Sequence, residues 1–330
     1  MSGGRLRVGL VGTGRIVQEG HLPAYRANAD VLQVVAVADP RAARAAAVGD
    51  LLGVPPEARY PGVTALLAGT DLDLVVVASP PAAHYDAVLA AATAGVAVIC
   101  EKPVCPDLAS LTALQAAVGD AFVAVMHNYL VKPGWRHVAD VLRQGLVGSP
   151  RLIRIEELAD DYWRRPGESS QSWREEAAQG GPLRDNLYHA FYLAEHLAGS
   201  PITRVAGEQA ALAHPYPGGD TVAVVGRHDN GALLQGTVAW CHRGRPRGSM
   251  ELIGTTGTLY YDYWAAPGRL RIDAGGRTDT LEVPSWTERD ESGYGAAFRA
   301  VVDRLREGDP PPRGLADAYR TMWAIHQVIG

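Results

Sequence analysis

Cysteine is scarce, with three in 330 residues. That is too few for a disulfide framework and points to a reducing, cytoplasmic setting. Lysine is scarcer still: of 31 basic residues only Lys102 and Lys132 are lysines, and arginine fills the rest. Neither sign of charge dominates. The formal balance is −5, so nothing draws the chain generally to nucleic acid or to a membrane surface. Long apolar runs are missing too. The longest, such as LDLVVVASP (72–80), fall far short of the ~20 residues that span a bilayer. A strand pattern begins almost at once, which leaves no expected signal peptide.

What is present is strong alternation over the first ~125 residues. Near-continuous Val, Ala and Ile runs occupy 5–12, 32–39, 72–79, 96–103 and 121–128. Such runs, without polar alternation, read as strands buried on both faces of a parallel sheet. Between them lie Ala-rich helical stretches at 41–53, 81–95 and 107–119. Proline opens and glycine closes the second of these, as helix ends prefer. The first expectation is therefore an α/β Rossmann domain, a doubly wound parallel sheet, over 1–128.

From 129 to 330 the pattern changes to an α+β domain around an open-faced, mainly antiparallel sheet. Strands are expected at 151–159, 202–212, 221–242 and 248–264, with Asp229-Asn230-Gly231 as a hairpin turn. One helix is expected at about 183–198 and two more at 293–307 and 315–328.

The cofactor signal is Gly12-Thr13-Gly14 at the handover from the first strand. Gly12 permits the turn, and Gly14 lets the backbone approach a pyrophosphate at a helix N-terminus, with Arg15 and Ile16 next in the turn. The third small residue of the fingerprint is Val17 instead. Asp39 ends the second strand, placed to accept hydrogen bonds from ribose hydroxyls and to repel a 2′-phosphate. NAD is accordingly expected over NADP, although Arg41 and Arg44 leave NADP open. The alternative for Asp39 is a helix N-cap. Ser79 and Pro80, at the crevice end of their strand, are expected to line the cofactor, and His84 to be either beside it or on a helix surface. Glu101 and Lys102, in CEKP at another strand end, complete the cofactor set.

Lysine is a compact point charge whose pKa burial can tune. At Lys102 an ammonium could bond the nicotinamide ribose and stabilise a developing alkoxide. Asp185 and His189 are four apart on an expected helix and so share a face. His189 suits a general base, and Asp185 would orient it or bind a neighbouring substrate hydroxyl. His196 on the same helix reads as structural. Cys100 reads as a small apolar filler, and Cys105 has no further ligands near it in sequence, so no metal is expected.

Together GLVGTGRIVQEGHLPAYR, EKPV, MHNYLVKPGWRHVADVLRQGLVGSP, GGPLRDNLYHAFYLAEHL and MELIGTTGTLYYD resemble the Gfo/Idh/MocA family (glucose–fructose oxidoreductase, inositol dehydrogenase). The resemblance spans nearly the whole chain. It implies a Rossmann domain, an open-faced C-terminal sheet through which homo-oligomers (dimer or tetramer) commonly form, and Lys102, Asp185 and His189 as catalytic residues with His189 the acid/base. Two positions depart from the pattern: Pro182 replaces a glycine, and Tyr192 stands where an aspartate often lies.

The substrate expected is a small molecule: a sugar, aminosugar, cyclitol or nucleotide sugar oxidised or reduced at a secondary carbon. Asn128 and Tyr129 lie at a crevice-facing strand end. Tyr162, Trp163, Arg165, Trp173 and Arg174, in the long polar connection 157–181, could stack on or bond a polyol, while Asp160 and Asp161 could take an amino group. Asp185 and Tyr192 complete the substrate set. Two rivals stand beside the dehydrogenase: a glycoside hydrolase or lyase that retains NAD for transient oxidation, and an NAD-sensing regulator without turnover.

Overall fold

The computed structural model describes residues 4–160, 173–284 and 293–329. It divides into two compact units. The first joins Met1–Asn128 with Ser292–Tyr319, and the second joins Tyr129–Glu291 with Arg320–Gly330.

In the first unit six strands form one sheet in the order β3-β2-β1-β4-β5-β6. They are β1 (Leu6–Val11), β2 (Leu32–Ala38), β3 (Arg59–Tyr60), β4 (Leu74–Val77), β5 (Ala97–Cys100) and β6 (Val123–Val125). Every pairing is parallel. Leu74–Val77 and Ala97–Cys100 are buried along their whole lengths, because helices cover both faces. Strand order reverses between β1 and β4, and the crevice at such a switch point is where an open α/β sheet binds its ligand.

The connecting helices are α1 (Leu22–Ala27), α2 (Ala42–Leu52), α3 (Val63–Gly69), α4 (His84–Thr93) and α5 (Leu108–Val118). A π-helical turn at Val17–His21 precedes α1. The strands are shorter than the apolar runs that announce them, since the ends of those runs become the crevice loops. β3 carries no apolar run and was not expected.

The second sheet has eight strands in the order β14-β13-β12-β11-β7-β10-β9-β8. Its strands are β7 (Pro150–Leu158), β8 (Ile202–Ala210), β9 (Thr221–His228), β10 (Leu233–Ala239), β11 (Arg247–Gly254), β12 (Gly257–Asp262), β13 (Gly268–Ala274) and β14 (Arg277–Val283). All neighbours are antiparallel except β7 and β10. β13 and β14 were also not expected: β14 is exposed at six of its seven residues and has no apolar face to read.

Before this sheet comes α6 (Pro133–Arg143). The single helix expected near 183–198 is interrupted at Asn186, giving α7 (Gly181–Asp185) and α8 (Leu187–Ala198). From Leu187 to Ala194 every residue of α8 is buried, and the helix packs on β7 and β10. Two helices close the chain, α9 (Tyr294–Glu307) and α10 (Leu315–Ile329). α9 packs on α1, and Phe298 lies 5.1 Å from the Tyr25 ring. No helix among the described residues is long and apolar enough to cross a membrane.

Candidate active site

In the first unit the turn after β1 is shaped for close backbone approach. Gly12 has φ +91°, and a Cβ there would lie 2.5 Å from the Ser79 nitrogen, so glycine is required on both counts. At Gly14, by contrast, a Cβ would meet nothing within 4 Å, which leaves room in front of the turn. Asp39 ties this turn to the end of β2. Its Oδ2 accepts from the Thr13 amide at 3.0 Å and the Thr13 hydroxyl at 2.8 Å, and its Oδ1 accepts from the Arg41 amide at 2.9 Å. The N-cap alternative is not realised: the N-cap of α2 is Arg41 without a side-chain cap bond, and Asp39 instead closes a two-residue turn onto the Arg41 amide ahead of the helix. A carboxylate has about four acceptor sites, so these three bonds leave capacity for a ribose hydroxyl. The Ser79 hydroxyl is buried without a hydrogen-bond partner among the described residues. An open glycine turn, a fixed carboxylate and an orphan hydroxyl at neighbouring strand ends fit a dinucleotide.

His84 is neither on a helix surface nor offering a nitrogen to a ligand. The ring is buried, with Nδ1 2.9 Å from the Pro103 carbonyl and Nε2 2.6 Å from the Ser79 carbonyl. Burial pushes its pKa below the usual histidine value, against the opposing pull of those carbonyls. Its place is to strap the β4 loop to the Lys102–Pro103 turn, whose peptide bond is cis.

Glu101 is likewise inward. Its Oε1 lies 2.8 Å from Nε2 of His21, and its Oε2 accepts from the Lys102 amide at 3.2 Å. Burial pushes the Glu101 carboxyl up, but His21, Lys102 and Tyr294 outweigh it and hold it below the ordinary value. Glu101 thus anchors the turn that presents Lys102, which is half-buried just beyond β5. Burial also raises both thiols beside that turn, Cys105 to about 12, which makes them inert packing groups.

In the second unit the site residues gather on α8. Nδ1 of His189 lies 2.6 Å from the Tyr192 hydroxyl. The imidazole stacks on the Tyr129 ring, centroids 3.8 Å apart and planes within 6°. Tyr192 and Tyr188 meet the imidazole edge-on at 5.5 and 6.4 Å. The orienting bond expected from Asp185 comes instead from Tyr192. Asp185 Oδ2 accepts from Arg174 Nε at 2.7 Å, and that guanidinium lies 4.4 Å over the Trp173 ring. Tyr129 and Tyr192, expected to touch substrate, are first of all the walls that hold His189. Asn128 is buried at the end of the first unit. Tyr162, Trp163 and Arg165, with Asp161, lie outside the described residues.

Several residues at these sites had no sequence signal. His21 and Glu157 look like ordinary polar positions. Glu157 Oε1 accepts from Asn186 Nδ2 at 2.5 Å, and Asn186 Oδ1 accepts from Trp240 Nε1 at 2.9 Å. That buried chain occupies the Asn186 side chain where α7 gives way to α8. Lys132 did carry a signal, as one of only two lysines, yet no role was assigned to it.

Residues 6–129 match the oxidoreductase family with an NAD-binding Rossmann fold, and residues 135–260 match the GFO/IDH/MocA C-terminal domain. A D-apiose dehydrogenase of Paraburkholderia graminis is 28% identical over 96% of this chain and 85% of its own. A dTDP-3,4-didehydro-2,6-dideoxy-alpha-D-glucose 3-reductase of Actinomadura kijaniata is 26% identical, covering 98% and 94%. Among solved structures, a levoglucosan dehydrogenase in complex with NADH superposes with a TM-score of 0.87 at 22% identity, covering 98% of this chain and 96% of that one. With both halves matched in order, a parallel Rossmann sheet and a second, mainly antiparallel sheet, this chain belongs to the Gfo/Idh/MocA family of NAD-binding oxidoreductases.

Proposed function

We propose that this protein interconverts a secondary hydroxyl and a ketone on a sugar, cyclitol or nucleotide sugar, with NAD preferred as cofactor. The observation that carries the reading is the seating of His189. Its ring is stacked on Tyr129 and its Nδ1 is engaged by Tyr192, which fixes the plane and orientation in which the imidazole can handle a proton.

When bound, the nicotinamide supplies hydride acceptance or donation. The chain's own residues handle everything else. Lys102 steadies the substrate oxygen as negative charge develops on it. His189 takes the hydroxyl proton on oxidation and returns it on reduction. A tyrosine hydroxyl can both donate and accept, so Tyr192 serves either protonation state of the imidazole. Asp185, paired with Arg174, binds a neighbouring substrate hydroxyl.

The preference for NAD rests on Asp39. Its carboxylate, pinned by three hydrogen bonds at the end of β2, would repel a 2′-phosphate. The relatives named apiose dehydrogenase and dTDP-sugar reductase support the substrate class. Homo-oligomerisation through the second sheet is consistent with Val225, 63% exposed, and Leu233, 43% exposed, on adjacent strands of one sheet face. Three free cysteines suit a cytoplasmic enzyme.

The test is a panel of pentoses, hexoses, inositols and nucleotide sugars with NAD and with NADP, followed at the absorbance of the reduced cofactor. Turnover of a polyol with NAD supports the reading. Turnover with NADP alone overturns the role given to Asp39, and turnover in His189→Ala overturns the role given to His189.

A further inference from the structure

Lys132 is an expensive residue where it stands. The side chain is 7% exposed and sits at the N-cap of α6, immediately before Pro133. Burial and the positive end of a helix both oppose an ammonium. Two features work the other way: the buried carboxylate of Glu157 attracts it, and Nζ lies 4.1 Å over the centroid of the Tyr129 ring. Burial wins, leaving the Lys132 pKa lowered to about 7 against the pull of Glu157. The chain fills nearly every other basic position with arginine, a cation that cannot shed its proton. A lysine in this place keeps a proton that can come and go near neutrality.

The ring on which Lys132 rests is the ring stacked flat on His189, 3.8 Å between centroids. An ammonium on the π-face of Tyr129 is held by the ring quadrupole, and the ring is thereby held in turn. We infer that Lys132 is a positioning residue for His189: it fixes the Tyr129 ring against the imidazole and, in its protonated form, provides the positive charge against which that imidazole takes up a proton.

This rests on the reading of His189 as the proton-handling group, and deepens it by naming what sets its basicity. The groups that bear on His189 include Tyr188 and Tyr192 on α8 and Tyr129 with Lys132 from the segment leading into α6. Among the described residues the other charged groups nearby in the chain's packing are Glu157 on β7, which acts on Lys132, and the Arg174–Asp185 pair beside α7. Among these, Lys132 is the cation joined to the imidazole through a stacked ring, and Glu157 offsets part of its charge. A unit charge at this range in a half-polar interior shifts a neighbouring pKa by about half a unit to one unit.

The experiment titrates His189 directly in the full chain with NAD added, by nitrogen NMR of histidine-labelled protein, with the signal assigned by its loss in His189→Gln. In Lys132→Met the His189 pKa should rise by about half a unit or more. In Lys132→Arg it should stay at or below the wild-type value. Melting temperature and NADH affinity establish that each variant is folded. Should Lys132→Met fold poorly, Lys132→Gln takes its place in the comparison. An unchanged His189 pKa in the neutral variant, or a rise in Lys132→Arg equal to that in Lys132→Met, overturns the proposal. The base role itself is tested separately. Hydride-transfer activity surviving in His189→Gln would remove that role while leaving the coupling between Lys132 and the imidazole readable.

Discussion

The Tyr192 hydroxyl lies 2.6 Å from Nδ1 of His189, three residues earlier on the same buried helix. A neutral, reversible hydrogen-bonding partner therefore stands where a carboxylate would lock the imidazole into its charged form. Tyr192→Phe removes that partner with little change in volume. The expected result is a loss of about 1 kcal/mol at the transition state, several-fold in kcat, with KM little altered. Steady-state kinetics on the substrate found in the panel decide it. Tyr192→Asp should instead raise the pH at which the acid limb of the kcat/KM profile falls, because a carboxylate favours imidazolium.

His189→Ala and Lys102→Ala should part company with binding. Loss of a general base costs about 10²–10⁴ in kcat, and loss of an oxyanion-stabilising group about 10²–10³. NADH affinity, read by fluorescence titration, should be unchanged in His189→Ala and at most modestly weaker in Lys102→Ala. A drop in NADH affinity that matches the drop in kcat would mean that Lys102 serves the cofactor alone.

Asp39→Ser should do two things at once. It removes the acceptor for the Thr13 amide and hydroxyl, costing about 1–3 kcal/mol of stability, visible in a urea melt. It also removes the charge that opposes a 2′-phosphate, so the ratio of NADP to NAD use should rise by about tenfold or more. Equal kcat/KM ratios in mutant and wild type would refute the Asp39 argument.

Acid stability should pass through Glu101. Its folded pKa is below the ordinary carboxyl value despite burial. A group depressed in this way contributes stability above its unfolded pKa and loses it as pH falls through the folded value. Glu101→Gln should therefore be less stable than wild type near pH 7, and the gap should close below about pH 4. Thermal melts across pH 3 to 7 test the sign, and a gap that widens on acidification would contradict it.

Much of the first unit was legible because parallel strands buried on both faces must be apolar throughout, and helices between them must punctuate. Gly12, Asp39 and Lys102 could be placed at strand ends for the same reason. The return of Ser292–Tyr319 to that unit was not legible. Nothing in the composition of an amphipathic helix says which of two cores its apolar face will meet, and only the packing of Phe298 on Tyr25 and His21 decides it. β14 escaped notice because an exposed strand needs no hydrophobic period.

At the candidate site, the residue types suited to the proposed chemistry stood out by their rarity and their spacing. Their partners were not. Spacing paired Asp185 with His189, but a helix interrupted at Asn186 gave Asp185 to Arg174 and His189 to Tyr192. Sequence alone determined the strand–helix alternation, the glycine turn and the identity of the candidate base, since each follows from local periodicity or a single stereochemical need. Tertiary structure alone decided that His84 and Glu101 face inward, that Tyr129 stacks on His189, and that the unassigned lysine Lys132 lies over the same ring. Those contacts join residues far apart in the chain, and their energies depend on burial and ring geometry that no linear spacing encodes.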